Sequence, residues 1–155
     1  MSKMILIADD NENDAMELAE CIRKAGAKNP LTVVSDGKEV IAYFRGEEKY
    51  ADRTEYPLPS ILLLDIKMPG LDGFEVMERL SSKKYAEGVL IVVLTGYELA
   101  NIRRGYELGA RSFLPKPCRV DDIQNLMRTY STYWESDKPI SGGSKDTDRL
   151  APLSL

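Results

Sequence analysis

The chain has 155 residues, 43% hydrophobic and 30% charged, with a formal net charge of −4 and no histidine. That length holds one ordinary domain, and no apolar run approaches the roughly 20 residues of a membrane span. The acidic balance argues against nucleic acid as a partner, and the missing histidine excludes His-dependent triads, histidine-ligated metals and a phosphohistidine carried by this chain.

Residues 4–8 form a short apolar run that reads as a first strand. Asp9 and Asp10 follow before a signal-peptide core could be completed, so no export signal is read and a cytoplasmic location is expected. Ala15, Leu18, Ala19 and Ile22 then recur at the spacing of one helix face, with Gly26 as a stop signal. Residues 31–34 give a second strand, and Val40 with Phe44 marks a second helix. Residues 45–60 are longer than the roughly 2 to 6 residues usual between a helix and a strand, and their charge suggests a solvated loop. Strands are expected at 61–64, 89–94 and 112–114. Helices between and after them are marked by Phe74 with Met77, Ile102 with Tyr106, and Ile123 with Met127 and Tyr130. The folded domain is expected over 1–135, with a disordered tail over 136–155 that has few apolar residues to bury. Cys21 and Cys118 are distant in sequence, match no metal-ligand spacing and are expected to remain thiols with a packing role.

Strand segments rich in Ile, Leu and Val without alternation are expected to be buried on both faces of a parallel sheet. Five such units predict a doubly wound α/β fold, a five-stranded parallel sheet with five helices. In that architecture a ligand lies beyond the carboxyl ends of the strands, where the strand order reverses.

The residues at those ends form a set. Strand one ends in Asp9 and Asp10, strand three in Asp65, strand four in Thr95 and Gly96, and Lys116-Pro117 follows strand five. Singly, each has an ordinary explanation: acids terminate strands, Thr favours strands, and Gly96 fits a turn. Together, three carboxylates in one cleft repel by about 1 kcal/mol per pair at 4 Å in water and about 4 at intermediate dielectric. A hard divalent cation compensates for that repulsion, and Mg²⁺ takes one or two carboxylates, waters and a phosphate oxygen. Asp65 can then act as a carboxylate nucleophile toward a phosphoryl group, with the Lys116 ammonium neutralising charge and the Thr95 hydroxyl binding a phosphoryl oxygen. Met68-Pro69-Gly70 fits a tight turn leaving the nucleophile, and Gly73 allows close backbone approach.

On these residues the chain closely resembles the response-regulator receiver family, over about residues 3–134. Asp9-Asp10 resemble its acidic pair, Leu62 to Asp65 with Ile66-Lys67-Met68-Pro69-Gly70 its phosphoacceptor segment, Leu94-Thr95-Gly96 its hydroxyl position, and Lys116-Pro117 its lysine. The resemblance implies a flavodoxin-like (βα)5 receiver fold and a signalling switch that catalyses only its own phosphotransfer and autodephosphorylation. It implies a phosphorelay partner, a histidine kinase or histidine phosphotransfer protein, and Mg²⁺ for which Mn²⁺ can substitute. It makes Asp65 the phosphoacceptor, Asp10, Asp65 and the Lys67 backbone carbonyl metal ligands, Asp9 a metal contact largely through water, and Phe113 the switch aromatic. The 45–60 insertion resembles that of the phytochrome-associated subgroup.

A haloacid-dehalogenase-like phosphatase would want an acid two residues after its nucleophile, where this chain has Lys67. A flavin mononucleotide carrier would want a hydroxyl- or glycine-rich loop after strand one, where this chain has Asp9-Asp10-Asn11-Glu12-Asn13-Asp14. A pseudo-receiver that is never phosphorylated would lack part of the set, and here none is missing. Neither Lys67 nor Tyr97 supplies a carboxylate or amide to orient a hydrolytic water, which suggests slow dephosphorylation. Tyr130, Tyr133 and Trp134 crowd the end of the last helix, which suggests a homodimer through the fourth and fifth helices.

Overall fold

A computed structural model describes residues 3–96 and 98–140, Leu99 by its backbone alone; Tyr97 and the tail over 141–155 lie outside the described residues. Five strands, β1 (Ile5–Ala8), β2 (Leu31–Val34), β3 (Ile61–Asp65), β4 (Leu90–Thr95) and β5 (Ser112–Pro115), alternate with five helices. The helices are α1 (Glu12–Lys24), α2 (Gly37–Arg45), α3 (Gly73–Lys83), α4 (Leu99–Glu107) and α5 (Val120–Thr129). The strands form one parallel sheet in the order β2-β1-β3-β4-β5. The order reverses at β1 and β3, so the ends of those two strands are the expected position for chemistry.

Burial explains the apolar runs. Every residue of β1, β3 and β4 is buried, whereas the edge strand β2 leaves Val33 half exposed. Successive side chains go to opposite layers. Leu6, Leu62, Leu64 and Val93 pack with Val40, Phe44, Val76, Met77, Leu80 and Ile102 of α2, α3 and α4. Ile5, Ile7, Leu63 and Val92 pack with Leu18, Ile22, Ile123 and Leu126 of α1 and α5. Helix starts are fixed by side chains that accept backbone N–H groups: Asn11 from Asp14, Asp36 from Glu39, and Asp72 from Glu75, the last in a reciprocal capping box. Each such cap is worth about 1 kcal/mol.

Most charged residues of the 45–60 insertion are exposed, as their charge suggests, but the segment is also anchored to α2. Glu48–Ala51 forms a short 3-10 turn that buries Tyr50. The Tyr50 ring lies 4.8 Å from that of Tyr43 and 5.2 Å from that of Tyr56, the latter edge to face. Arg53 covers the Tyr43 face and donates to the Phe44 carbonyl at 3.0 Å and the Tyr56 carbonyl at 3.3 Å. The phenols are satisfied too, Tyr43 donating to the Pro57 carbonyl and Tyr50 to Glu39. Three irregularly spaced tyrosines therefore build a small aromatic layer on α2, and no helical or strand period announces it.

At the amino ends of the strands, Asn29 is fully buried and donates to the carbonyls of Lys3 and Tyr133 while accepting from the Glu135 N–H. The described chain continues past residue 135: Ser136 pairs with Ala27 in an isolated antiparallel bridge, and Asp137 meets Lys28 at 3.0 Å. Trp134 is buried, and the Tyr130 hydroxyl donates to the Arg111 carbonyl. Trp134 therefore belongs to the core, while Tyr130 and Tyr133 pack against it and stay partly exposed, and the expected dimer surface rests on those two rings. No described helix is long and apolar enough to cross a membrane.

Candidate functional site at the strand ends

β1, β3, β4 and β5 deliver the predicted set to one cleft. Carboxylate oxygens of Asp9, Asp10 and Asp65 lie within 4.8 Å of one another, with Asp9 and Asp65 buried and Asp10 exposed. Lys116 Nζ enters this group at 3.0 Å from Asp9 Oδ2 and 3.3 Å from Asp65 Oδ2. Thr95, at the end of β4, is buried, and its carbonyl accepts the Lys116 N–H at 3.3 Å, which pins the β5 end to the β4 end. The cleft has a volume of about 340 Å³ and is lined by Asp10, Asp65, Lys67, Thr95, Gly96 and Lys116 among others.

The nucleophile candidate is held from both sides. The Lys67 N–H donates to Asp65 Oδ1 at 3.3 Å. Gly70 takes φ +74° in the turn that follows, and Gly73 donates to the Ile66 carbonyl at 2.8 Å. A Cβ on Gly73 would lie 2.7 Å from the Asp65 carbonyl oxygen, so the first turn of α3 can approach the nucleophile only as glycine. Asp9 is held by the Asn11 N–H at 2.9 Å.

Burial raises the Asp65 pKa; Lys116 opposes that shift and the Asp9 charge adds to it. Burial pulls the Lys116 pKa down, but the hydrogen bond to Asp9, the charges of Asp65 and Asp9, and the hydrogen bond to Asp14 outweigh it and leave the pKa raised. The site is therefore a strongly acidic cluster with one ammonium ion against four carboxylates. That donor set of hard oxygens with excess negative charge fits one divalent cation of the Mg²⁺ type.

Three residues that sequence reasoning did not single out belong to this neighbourhood. Asp14, from the first turn of α1, reaches Lys116 Nζ at 3.3 Å. Glu98 and Asn101 line the cleft mouth; Asn101 donates to Glu98 at 3.0 Å, and Glu98 faces the Lys67 ammonium at 4.0 Å. Only Asp14 had a signal, as the last acid of the run that begins with Asp9 and Asp10. Gly96 is not required by space, because a Cβ there would meet no atom within 4 Å. Phe113 is buried and packs edge to face on Tyr106 with centroids 4.7 Å apart. A Cβ on Gly105 would lie 2.8 Å from the Phe113 ring, so the ring occupies room that α4 leaves for it.

The response regulator receiver domain profile matches residues 5–128, four-fifths of the chain and every strand-end residue named above. The chain belongs to the response-regulator receiver family. This receiver is 30% identical to sporulation initiation phosphotransferase F of Bacillus subtilis over 131 residues, 84% of this chain and 94% of that protein. It is 24% identical to response regulator Rcp1 of Synechocystis over 133 residues, 85% of this chain and 88% of that one. Among solved structures, response regulator RPA3017 in red light signalling of R. palustris aligns with TM-score 0.72 at 29% identity, covering 90% of this receiver and 99% of that chain. The bacteriophytochrome response regulator AtBRR aligns with TM-score 0.75 at 27% identity, with the same coverages. The receiver therefore has the five-stranded flavodoxin-like fold, and its similarity to phytochrome-associated regulators agrees with the resemblance carried by its insertion.

Proposed function

We propose that this receiver accepts a phosphoryl group on Asp65 from the phosphohistidine of a partner histidine kinase or histidine phosphotransfer protein, in the cytoplasm. The observation that supports this reading best is the convergence at the switch point of the sheet of the Asp9, Asp10 and Asp65 carboxylates, within 4.8 Å of one another, with Lys116 in ion-pair contact with Asp9 and Asp65. An Asp65 carboxylate oxygen attacks phosphorus, the bond from phosphorus to the donor imidazole nitrogen breaks, and that nitrogen keeps the electron pair. Lys116, 3.3 Å from Asp65, shifts its charge toward the incoming phosphoryl oxygens, and the Thr95 hydroxyl donates to one of them. Asp10, Asp65 and the Lys67 carbonyl would hold Mg²⁺, or Mn²⁺ in its place, with Asp9 acting largely through water. The ion would supply neutralisation of the charge on the transferring group. Drawing Thr95 toward the phosphoryl group alters the surface of β4 and α4 above Phe113, and that surface carries the signal. The similarity to regulators of red-light signalling supports a photoreceptor kinase of the phytochrome class as the upstream donor.

The experiment is labelling with acetyl phosphate and Mg²⁺ followed by intact-mass measurement. One added phosphoryl group that disappears in Asp65→Asn and in EDTA is expected. Labelling that survives Asp65→Asn would overturn the assignment.

The same site supports a long-lived phosphorylated state. Lys67 offers only donors to an in-line water. Glu98 carries a carboxylate but is engaged by Asn101 and faces Lys67. Exchanging Lys67→Asn with Tyr97→Glu should speed loss of label after donor removal while leaving its acquisition little changed. Unaltered decay would refute slow hydrolysis set by these positions.

A further inference from the structure

Cys21 and Cys118 are 97 residues apart in sequence, yet the fold sets them side by side. The Cys21 thiol donates to the Cys118 carbonyl at 3.2 Å and is also hydrogen-bonded by the Cys118 side chain. Both are thiols, and both are partly exposed. Their positions connect two parts of the functional site. Cys21 lies two helical turns after Asp14 on α1, and Cys118 is the second residue after Lys116 on the connection from β5 to α5. Asp14 and Lys116 are themselves 3.3 Å apart. Between the two elements lies a cleft of about 250 Å³ lined by Asp14, Glu17, Leu18, Lys116, Pro117 and Cys118. Cys118 lines this cleft, which reaches Asp9 of the candidate phosphorylation site, and Cys21 sits beside Cys118 on the α1 side.

We propose that Cys21 and Cys118 form an oxidative modification site, a reversible intramolecular disulfide that ties the Lys116 connection to α1. A packing role alone accounts for one buried sulfur but not for two half-exposed thiols in mutual contact at the edge of an open cleft. Closing the bond leaves the helix in place, because Cys118 sits on a connection and not inside a strand or helix. A peroxide serves as oxidant. One thiolate sulfur displaces an oxygen of the peroxide, giving a sulfenic acid and, with one proton, water. The second thiol attacks that sulfur and the oxygen leaves as another water, so two thiols lose two electrons and two hydrogens while one peroxide becomes two waters. Burial keeps the Cys21 pKa above its ordinary value, which suits Cys21 as the second, resolving thiol, while Cys118 lines the open cleft that a peroxide can enter. A low-molecular-weight disulfide reaches the same product by two exchange steps, releasing two reduced thiols. In a reducing cytoplasm the pair stays reduced, and the tether forms only when peroxide rises.

The effect on phosphotransfer rests on the Asp65 reading, whereas formation of the bond does not, and the two are measured separately. The full chain is treated with hydrogen peroxide or oxidised glutathione, excess oxidant is removed, and remaining thiols are alkylated. We expect a monomer that has lost two hydrogens, takes up no alkylating agent and yields one cross-linked peptide joining Cys21 to Cys118. Thiols that both remain alkylatable, or a disulfide only between two chains, would overturn the proposal. Acetyl phosphate labelling of the oxidised form is expected to be at least about threefold slower and to recover with reductant, while reduced and oxidant-treated Cys118→Ser label alike. A bond that forms with no change in labelling would overturn the tether while leaving Asp65 labelling of the reduced protein as the independent test of the phosphoacceptor.

Discussion

The strand-end cleft and the aromatic layer on the insertion are opposite solutions to placing polar groups in a protein. In the cleft, Asp9 and Asp65 are buried with one shared ammonium ion, and burial holds the Asp65 carboxyl above its usual pKa. Each added negative charge there works against the fold. Where the insertion packs on α2, Tyr43 of the helix and Tyr50 of the insertion bury their rings and satisfy their hydroxyls on a carbonyl and on Glu39. The first region is held in an unfavourable electrostatic state that a cation can relieve; the second is already satisfied. Function is expected to follow the frustrated region and stability the satisfied one, consistent with strain concentrating at working sites.

Substitutions in the two regions should therefore dissociate. Asp65→Asn is expected to abolish phosphoryl labelling altogether while leaving thermal stability unchanged or raising it by about 1 kcal/mol, because one like-charge contact is removed. A loss of stability in that variant would mean the carboxylate is structurally required. Tyr50→Ala is expected to lower unfolding free energy by about 3 to 5 kcal/mol, the usual cost of truncating a buried aromatic, with labelling of the folded fraction unchanged. Denaturant melts with parallel acetyl phosphate assays read both outcomes.

A pH test sharpens the contrast. The Tyr50 pKa is raised to about 12 by burial first and then by the Glu39 charge and hydrogen bond. A folded-state pKa above the unfolded value gives stability that is fully present below the unfolded pKa of about 10 and lost as pH rises through the folded value. The wild-type protein should thus lose on the order of 2 kcal/mol between those limits from this group alone. Tyr43 and Tyr130 are raised too, again by burial, so the decline is shared. Tyr50→Phe should flatten it measurably in melts between neutral and strongly alkaline pH, and an unchanged slope would remove Tyr50 from the account.

Legibility in the sequence follows the same division. The five strands were readable because a parallel sheet buried on both faces needs uninterrupted apolar runs, as in Leu62-Leu63-Leu64. The cleft was readable because its chemistry demands particular residue types at strand ends, where the topology leaves no freedom of position. The insertion was not, because Tyr43, Tyr50, Arg53 and Tyr56 meet through a turn with no periodicity. Nor was the contact of Cys21 with Cys118, since nothing local in either segment reports what lies across the sheet end. The reason for a glycine at 105 inside α4 appears only when the Phe113 ring fills the space beside it.

The smallest expected effect comes from Asp14, which joins the two regimes. Its carboxylate lies 3.3 Å from Lys116 Nζ, competing with Asp65 at the same distance and Asp9 at 3.0 Å, but its side chain is 41% exposed. An exposed ion pair of this kind contributes little to stability, so Asp14→Asn should change unfolding free energy by no more than about 0.5 kcal/mol, part of it from the lost charge at the start of α1. Its kinetic consequence has a definite sign. Neutralising Asp14 frees Lys116 to weight Asp65 and removes one negative charge from the approach path of an anionic phosphodonor. Labelling by acetyl phosphate should therefore accelerate by about twofold at low salt, and the gain should shrink as added salt screens the charges. Slower labelling at every ionic strength would instead make Asp14 a positioning residue, one that holds the ammonium where the phosphoryl oxygens need it. Pairing Asp14→Asn with Asp14→Glu separates the two, because the longer acid keeps the charge near the cleft while disturbing the geometry.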